Sequence, residues 1–169
     1  VLIHDITRHF HGDTGVHQRV KEAMIGAVRA LQEMKSQGVV RAWGTGLKDV
    51  DIAMRFVRET DMDCALVPGR MTLLNQSCLD GLTEACAERG VSIIAAAAFD
   101  SGILATGAVQ GSSYAYSPAD ETVLDRVRSI ESVCADHGVP LQAAALQFPF
   151  RAQAVAGLLV SMRNTRELH

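Results

Sequence analysis

Short apolar runs alternate along the chain with longer stretches in which apolar residues recur every three or four positions. Five runs, at 1–4, 39–43, 64–67, 91–96 and 155–160, have the length and continuity of strands buried on both faces of a parallel sheet. The longer stretches have the period of amphipathic helices with one buried face. The pattern therefore predicts a parallel α/β sheet in which helices join successive strands.

Start and stop signals accompany several of the predicted helices. The first helix is predicted over 17–37 and is followed by a glycine, which commonly ends helices. Asp49 and Asn164 stand where N-caps are expected, and Pro140 opens a short helix. A long loop rich in glycine, serine and tyrosine is predicted over 100–119.

Five strands joined by helices are compatible with two architectures, a doubly wound open sheet and part of a (β/α)₈ barrel. A complete barrel typically takes about 250 residues, whereas this sequence has 169. In the barrel alternative, we expect the sequence to begin in mid-fold, on a buried strand, with a substantial N-terminal part missing.

Charge, hydropathy and cysteine spacing narrow the function classes. Sixteen basic and 19 acidic residues give a formal charge of −3 without a basic block, which argues against a nucleic-acid partner. The longest apolar stretch, 93–99, is far shorter than the roughly 20 residues of a membrane span, and no targeting signal opens the sequence. We therefore expect a soluble, cytoplasmic protein with no membrane partner. Four widely spaced cysteines favour buried, reduced thiols over a disulfide or zinc site.

The predicted strand ends are where chemistry is expected, because parallel α/β folds place their sites at the carboxyl ends of strands. These exits offer one imidazole, cations, hydroxyls and glycines, but no paired carboxylates, metal-ligand cluster or nucleophile turn. They comprise His4-Asp5, Gly44-Thr45-Gly46, Pro68-Gly69-Arg70, Phe99-Asp100-Ser101-Gly102 and Ser161-Met162-Arg163.

Three of these features have both a functional and a purely structural interpretation. His4 is either a functional imidazole or a hydrogen-bonded histidine that fills the core. The segment 101–104 can wrap a phosphate with backbone amides, or it is a surface loop. Arg163 and Arg166 flank the start of the last predicted helix, as an anion site or as solvated side chains. Together the features suit an extended anionic ligand such as a dinucleotide.

Six segments carry a resemblance to a known family over nearly the whole chain. They are VLIHD, VVRAWGTG, PGRMTLLNQ, FDSGILATG, HGVPLQAAALQFPF and LLVSMRNTREL. In this order they resemble the C-terminal part of an aldo-keto reductase, most closely the aldose (fucose-type) and pyridoxal dehydrogenase branch. VLIHD and FDSGILATG are the most specific pair.

The resemblance implies a (β/α)₈ barrel that binds NADP or NAD in extended form and acts on a small carbonyl or sugar substrate. Residues 1–169 would then be one partial barrel domain with strands four to eight. The resemblance implies that His4 orients the substrate carbonyl, and that Gly46 and Leu47 stand where a Ser-Asn pair usually holds the nicotinamide carboxamide. It implies that the loop over the pyrophosphate contains Phe99, Ser101, Gly102 and Leu104. The residues implied at the adenosine end are Ser161, Met162, Arg163 and Arg166. Ala96 replaces the family's nicotinamide-stacking tyrosine.

The family's general-acid tyrosine, with the lysine and aspartate that tune it, comes from strands before Val1 in this alignment. Tyr114 and Tyr116 do not match that motif. We therefore expect the 169-residue chain alone to be inactive. Hydride transfer to a carbonyl produces an alkoxide, and the reduction stalls when no acid is positioned to protonate it. We also expect its exposed sheet edge to favour self-association. The alternatives are a non-catalytic module that retains cofactor or partner contacts, and an unrelated open-sheet domain.

Overall fold

A five-stranded parallel sheet forms the centre of the molecule. The computed structural model describes residues 1–162 and 164–168. The strands are β1 (Leu2–His4), β2 (Gly44–Gly46), β3 (Cys64–Pro68), β4 (Ser92–Ala96) and β7 (Val155–Leu159). Their spatial order is β1-β2-β3-β4-β7, all parallel, so each strand lies beside its predecessor in this sheet. A doubly wound sheet reverses its strand order at a switch point, whereas this order is that of consecutive barrel units. The predicted parallel α/β sheet is confirmed.

Helices join the strands, and a short hairpin follows β4. The hairpin strands are β5 (Ser113–Tyr114) and β6 (Ser117–Pro118), which pair antiparallel. The helices are α1 (Arg8–Ala23), α2 (Arg29–Ser36), α3 (Val50–Glu59), α4 (Leu82–Arg89), α5 (Ile103–Thr106), α6 (Glu121–Asp136), α7 (Leu141–Gln147) and α8 (Thr165–Leu168). A π-helical segment, Met24–Val28, joins α1 to α2, and 3₁₀ turns occupy Ser77–Leu79, Asp100–Gly102 and Phe148–Arg151.

The second predicted strand was wrong in position. The strand is Gly44–Gly46 and not 39–43. The backbone N–H groups of Val39 and Val40 donate to the Met34 carbonyl, so this apolar pair closes the C-terminus of α2. The strand itself is built around glycines, because a Cβ on Gly44 would lie 1.8 Å from the Cys64 carbonyl oxygen. Glycine gives no strand signal.

The first helical segment begins nine residues earlier than the predicted 17–37. It starts at Arg8, passes through a non-helical kink at Gly12, and continues to Ser36. Tertiary contacts stabilise the N-terminus of α1 at Arg8. The Arg8 N–H donates to Asp49 Oδ2 at 2.7 Å, and the Arg8 guanidinium forms an ion pair with Asp51. The predicted loop 100–119 likewise contains local structure, namely a 3₁₀ turn, α5 and the hairpin.

The two faces of the sheet differ in burial. Successive strand residues point to opposite faces, and Thr45, Ala65, Val67 and Ile93 on the helix-covered face are fully buried. The opposite face carries side chains that are half-buried or exposed in the described chain, namely Leu2, His4, Cys64, Leu66, Ile94 and Leu159. In a closed barrel this second face is the interior.

The four cysteines are free thiols, three of them buried. Burial raises the pKa of Cys78 to about 12 and that of Cys86 to about 11, so both remain protonated at neutral pH. They act as small core side chains, as expected from their spacing in the sequence.

Candidate active site

Parallel pairing brings the ends of the strands to one edge of the sheet. His4 at the end of β1 pairs with Gly46 at the end of β2, and Pro68 at the end of β3 pairs with Ala96 of β4. The residues that follow these strands therefore emerge on the same side of the sheet. This edge is where a ligand of a parallel α/β protein binds.

The imidazole of His4 lies against the backbone of Gly46. A Cβ on Gly46 would lie 2.5 Å from His4 Cδ2 and 3.0 Å from Nε2, so only glycine leaves room for the ring. His4 Nδ1 donates to Asp5 Oδ1 at 2.9 Å, because a carboxylate can only accept. The side chain is 58% exposed, and Nε2 is the ring nitrogen that Asp5 does not engage. In the described chain His4 is thus an exposed imidazole at the sheet edge.

The turn after β4 has an unusual backbone. Asp100, Ser101 and Gly102 all have left-handed φ angles, of 44°, 61° and 99°. The carboxylate of Asp100 is buried, at 7% exposure of the residue, and accepts from the hydroxyl of Thr72. Ser101 is exposed at the turn and Gly102 is half-buried, with open space where its Cβ would lie. The turn therefore presents a hydroxyl and an unobstructed stretch of backbone at the ligand edge.

Burial raises the pKa of Asp100, although the Thr72 hydroxyl and the positive charges of Arg70, Arg126 and Lys48 act in the opposite direction. A raised pKa in the folded state means that the folded protein binds the proton more tightly than the unfolded chain. The ionised form at neutral pH is therefore destabilising, to an extent that disappears below the unfolded pKa.

This shift predicts a pH-dependent effect of Asp100→Asn on stability. We expect the melting temperature of the variant minus that of the wild type to be smallest below about pH 4 and to increase as the pH rises through the folded pKa of Asp100. Thermal unfolding followed by circular dichroism from roughly pH 3.5 to 8, a range that begins within carboxyl titration and ends above it, measures this difference in melting temperature. The control is Asp120→Asn, because Asp120 is exposed. A difference that decreases with rising pH would contradict the raised pKa.

The hairpin lies beside this turn. The backbone N–H of Tyr116 donates to Ser101 Oγ at 3.0 Å, and the ammonium group of Lys48 lies 4.5 Å from the centre of the Tyr116 ring. Lys48 follows β2, so these contacts connect the exits of β2 and β4 through the hairpin. Sequence reasoning missed Lys48, because no sequence signal linked it to Tyr116, 68 positions later.

A metal-binding cluster and a membrane-spanning helix are both absent from the described part of the chain. Residues 1–162 and 164–168 contain no group of three or more His, Cys, Asp or Glu side chains that could hold a metal ion. None of the helices in these residues combines the length and the hydrophobicity that a membrane crossing requires.

Comparison with known proteins identifies the family. The profile of the Aldo/keto reductase family matches residues 1–169. The chain belongs to the aldo/keto reductase family. It is 34% identical over 172 aligned residues to a pyridoxal 4-dehydrogenase from Microbacterium luteolum, covering 99% of this chain and 49% of that protein. It is 39% identical over 147 residues to a D-threo-aldose 1-dehydrogenase from Pseudomonas sp, covering 86% of this chain and 45% of that protein.

Solved aldo-keto reductases share the fold. The holo form of AKR11C1 from Bacillus halodurans superposes with a TM-score of 0.67 at 20% identity, covering 86% of this chain and 48% of that one. The glycerol dehydrogenase AKR11B4 from Gluconobacter oxydans gives 0.56 at 15% identity, covering 79% and 44%. The chain thus has the architecture of part of an aldo/keto reductase (β/α)₈ barrel and spans about half the length of the relatives it matches.

Two residues that the aldo/keto reductase resemblance assigned to the cofactor are buried instead. The Leu47 side chain is 1% exposed and packs in the main core, and its N–H donates to the Leu66 carbonyl. Leu104 is fully buried in a second core with Val127. The strand alternation and the start of α5 turn these two side chains into the core. That either residue contacts the cofactor stays a prediction.

The remaining predicted residues lie near strand exits. Phe99 is half-buried, and its carbonyl accepts from the N–H groups of Gly102 and Leu104. Ser161 and Met162 are exposed after β7, as is Arg166 on α8. Arg163 lies outside the described residues. The Asn164 side chain accepts from the Arg166 and Glu167 N–H groups, which agrees with its predicted role as a cap.

Proposed function

We propose that the protein containing this chain is a nicotinamide-dependent oxidoreductase that interconverts an alcohol and a carbonyl group in a sugar or another small aldehyde. The observation that carries the proposal is the His4 imidazole, which is oriented by Asp5, accommodated by Gly46, and located at the same sheet edge as the turn Asp100–Gly102. Sequence similarity to pyridoxal and aldose dehydrogenases supports the substrate class.

His4 would orient the reacting oxygen of the substrate. Its Nδ1–H is committed to Asp5, so Nε2 of the neutral ring accepts a hydrogen bond from a substrate hydroxyl, whereas the protonated ring donates to a carbonyl oxygen. The neutral ring therefore suits the oxidation of an alcohol, which is the direction named in both dehydrogenase relatives. A nicotinamide cofactor, NADP or NAD, supplies the hydride acceptor or donor when bound.

The turn after β4 fits the phosphates of such a cofactor. The Ser101 hydroxyl accepts from the Tyr116 N–H and still has its own proton to donate to an anion. Gly102 lets a ligand approach the backbone closely, and Lys48 adds a positive charge from the exit of β2. Ser161, Met162, Arg163 and Arg166 are proposed for the adenosine end.

We further propose that residues 1–169 form one domain that supplies barrel strands four to eight, and that proton transfer needs a group from other strands. The two tyrosines of the chain, Tyr114 and Tyr116, belong to the hairpin segment and not to a strand exit of the sheet. In the described sheet, β1 and β7 each pair on one side only. An isolated 169-residue chain would therefore be inactive and would self-associate through these edges.

Binding and turnover test the proposed function separately. For the intact protein, we expect saturable binding of NADP or NAD by isothermal titration calorimetry, and reduced cofactor formation with an aldose or pyridoxal followed by absorbance. His137→Ala, at the end of α6 and bonded to the Val133 carbonyl, is the control that should leave both unchanged.

The outcomes distinguish the alternatives. Binding with turnover supports the oxidoreductase, whereas binding without turnover of any aldose, aldehyde or pyridoxal would favour the non-catalytic module. If the intact protein binds neither dinucleotide, the proposed function is wrong.

A further inference from the structure

Asp100 is a buried carboxylate that the proposed chemistry does not use directly. It precedes Ser101 in the turn after β4, and its Oδ2 accepts from the hydroxyl of Thr72, which lies in the loop after β3. Its Oδ1 lies 3.3 Å from the position of a Cβ on Gly69 in the same β3 loop. The carboxylate is thus wedged between the exits of β3 and β4.

The Thr72 hydroxyl has only one direction in which to donate. Its oxygen accepts from the N–H groups of Leu74 at 3.2 Å and Asn75 at 2.9 Å. These bonds occupy both acceptor positions of the hydroxyl, so its single proton points to Asp100. Thr72 is fully buried. An acceptor at position 100 is therefore required, since a buried hydroxyl without one loses its hydrogen bond at a cost.

The backbone beside this bond is held in a costly conformation. Asp100 and Ser101 are L-residues with left-handed φ angles, a conformation that L-residues adopt only at an energetic cost. Such conformations persist only when surrounding contacts determine them, and they concentrate at ligand sites. The Asp100–Thr72 bond is a contact that fixes this turn to the neighbouring loop.

We propose that Asp100 is a positioning residue of the cofactor loop: by accepting from Thr72, it holds Ser101 and Gly102 in the left-handed turn that receives the cofactor's phosphates. The inference rests on the proposed function. Its requirement is an oxygen acceptor of the right length and not a negative charge, so asparagine can replace Asp100 and alanine cannot.

Two variants at each end of the bond provide the test in the intact protein. Asp100→Ala and Thr72→Val remove the bond, whereas Asp100→Asn and Thr72→Ser retain it. Thr83→Val is the matched control, because Thr83 is a buried threonine whose hydroxyl bonds to Glu84 on α4, away from the turn. The probes are NADP, NAD and ADP-ribose, which carries the pyrophosphate without nicotinamide.

We expect Asp100→Ala and Thr72→Val to weaken binding of dinucleotide and ADP-ribose by about tenfold or more, because each leaves a buried polar group without its hydrogen-bond partner. Asp100→Asn, Thr72→Ser and Thr83→Val should stay within about threefold. With saturating cofactor, the KM for the carbonyl substrate should not change in Asp100→Ala. A purely structural role would lower the melting temperature without this pattern.

Hydrogen exchange reports on the conformation of the turn itself, without any cofactor, and the binding measurements separate this inference from the proposed function. The N–H groups of Gly102 and Leu104 donate to the Phe99 carbonyl, and their exchange should accelerate in Asp100→Ala but not in Asp100→Asn. If the wild type binds no dinucleotide, the proposed function and the cofactor role of Asp100 both fail, whatever the exchange shows. If the wild type binds and Asp100→Ala binds equally well, or Asp100→Asn is as defective as Asp100→Ala, only the positioning role is overturned.

Discussion

Gly44→Ala is expected to destabilise the fold severely. The added Cβ would lie 1.8 Å from the Cys64 carbonyl oxygen, 2.7 Å from its carbonyl carbon and 2.8 Å from its Sγ. The first two atoms belong to the backbone of β3, which pairs with β2 and cannot move away without breaking the ladder. Overpacking against side chains typically costs 1–3 kcal/mol, and against backbone we expect more than about 3 kcal/mol, a large share of an ordinary domain's stability.

Urea or thermal unfolding, followed by circular dichroism, measures the effect. Gly157→Ala is the matched control, because Gly157 is also a strand glycine, in β7, and a Cβ there meets nothing within 4 Å. The control should be as stable as the wild type or slightly more so. If Gly44→Ala unfolds at the same denaturant concentration as Gly157→Ala, β2 does not approach β3 as closely as described.

The glycines of β2 show why the architecture could be predicted from the sequence while the position of β2 was predicted wrongly. Strands β3, β4 and β7 are apolar runs, and the burial of Ala65, Val67 and Ile93 on the helix-covered face agrees with that signal. At β2, a close approach between backbones decides the structure, and glycine carries no apolar signal. The strand was predicted at the nearby apolar residues Val39 and Val40 instead, although Val39 is 69% exposed.

The candidate site was predictable where it depends on position in the chain, and not where it depends on side-chain direction. The ends of β1 and β4 follow from the strand pattern, which places His4 and Ser101 at one edge. Whether Leu47 points to the ligand or to the core depends on strand register, which a one-residue shift reverses. Asp100 was visible as a polar residue at a strand exit, but its partner Thr72 is 28 positions away, and tertiary folding alone brings them together.

Gly46→Ala is expected to abolish most activity of the intact protein while leaving it folded. Here the added Cβ meets a side chain, the His4 ring, at 2.5 Å, and a side chain can rotate away without disturbing backbone pairing. A displacement of about 1 Å in a positioning group can cost about 10²-fold in rate. We therefore expect kcat/KM to fall by about that factor, with the melting temperature and the dinucleotide affinity near those of Gly157→Ala.

A double-mutant cycle shows whether Gly46 acts through His4. His4→Ala should reduce kcat/KM at least as far as Gly46→Ala, because Nε2 is then absent altogether. If the only effect of the methyl group is to displace the imidazole, adding Gly46→Ala to His4→Ala costs nothing more, since residues in contact are not additive. Alanine at 46 even fills space that the truncated histidine vacates. Additive losses would instead mean that Gly46 contacts the ligand itself, and unchanged activity in Gly46→Ala would remove His4 from the reacting site.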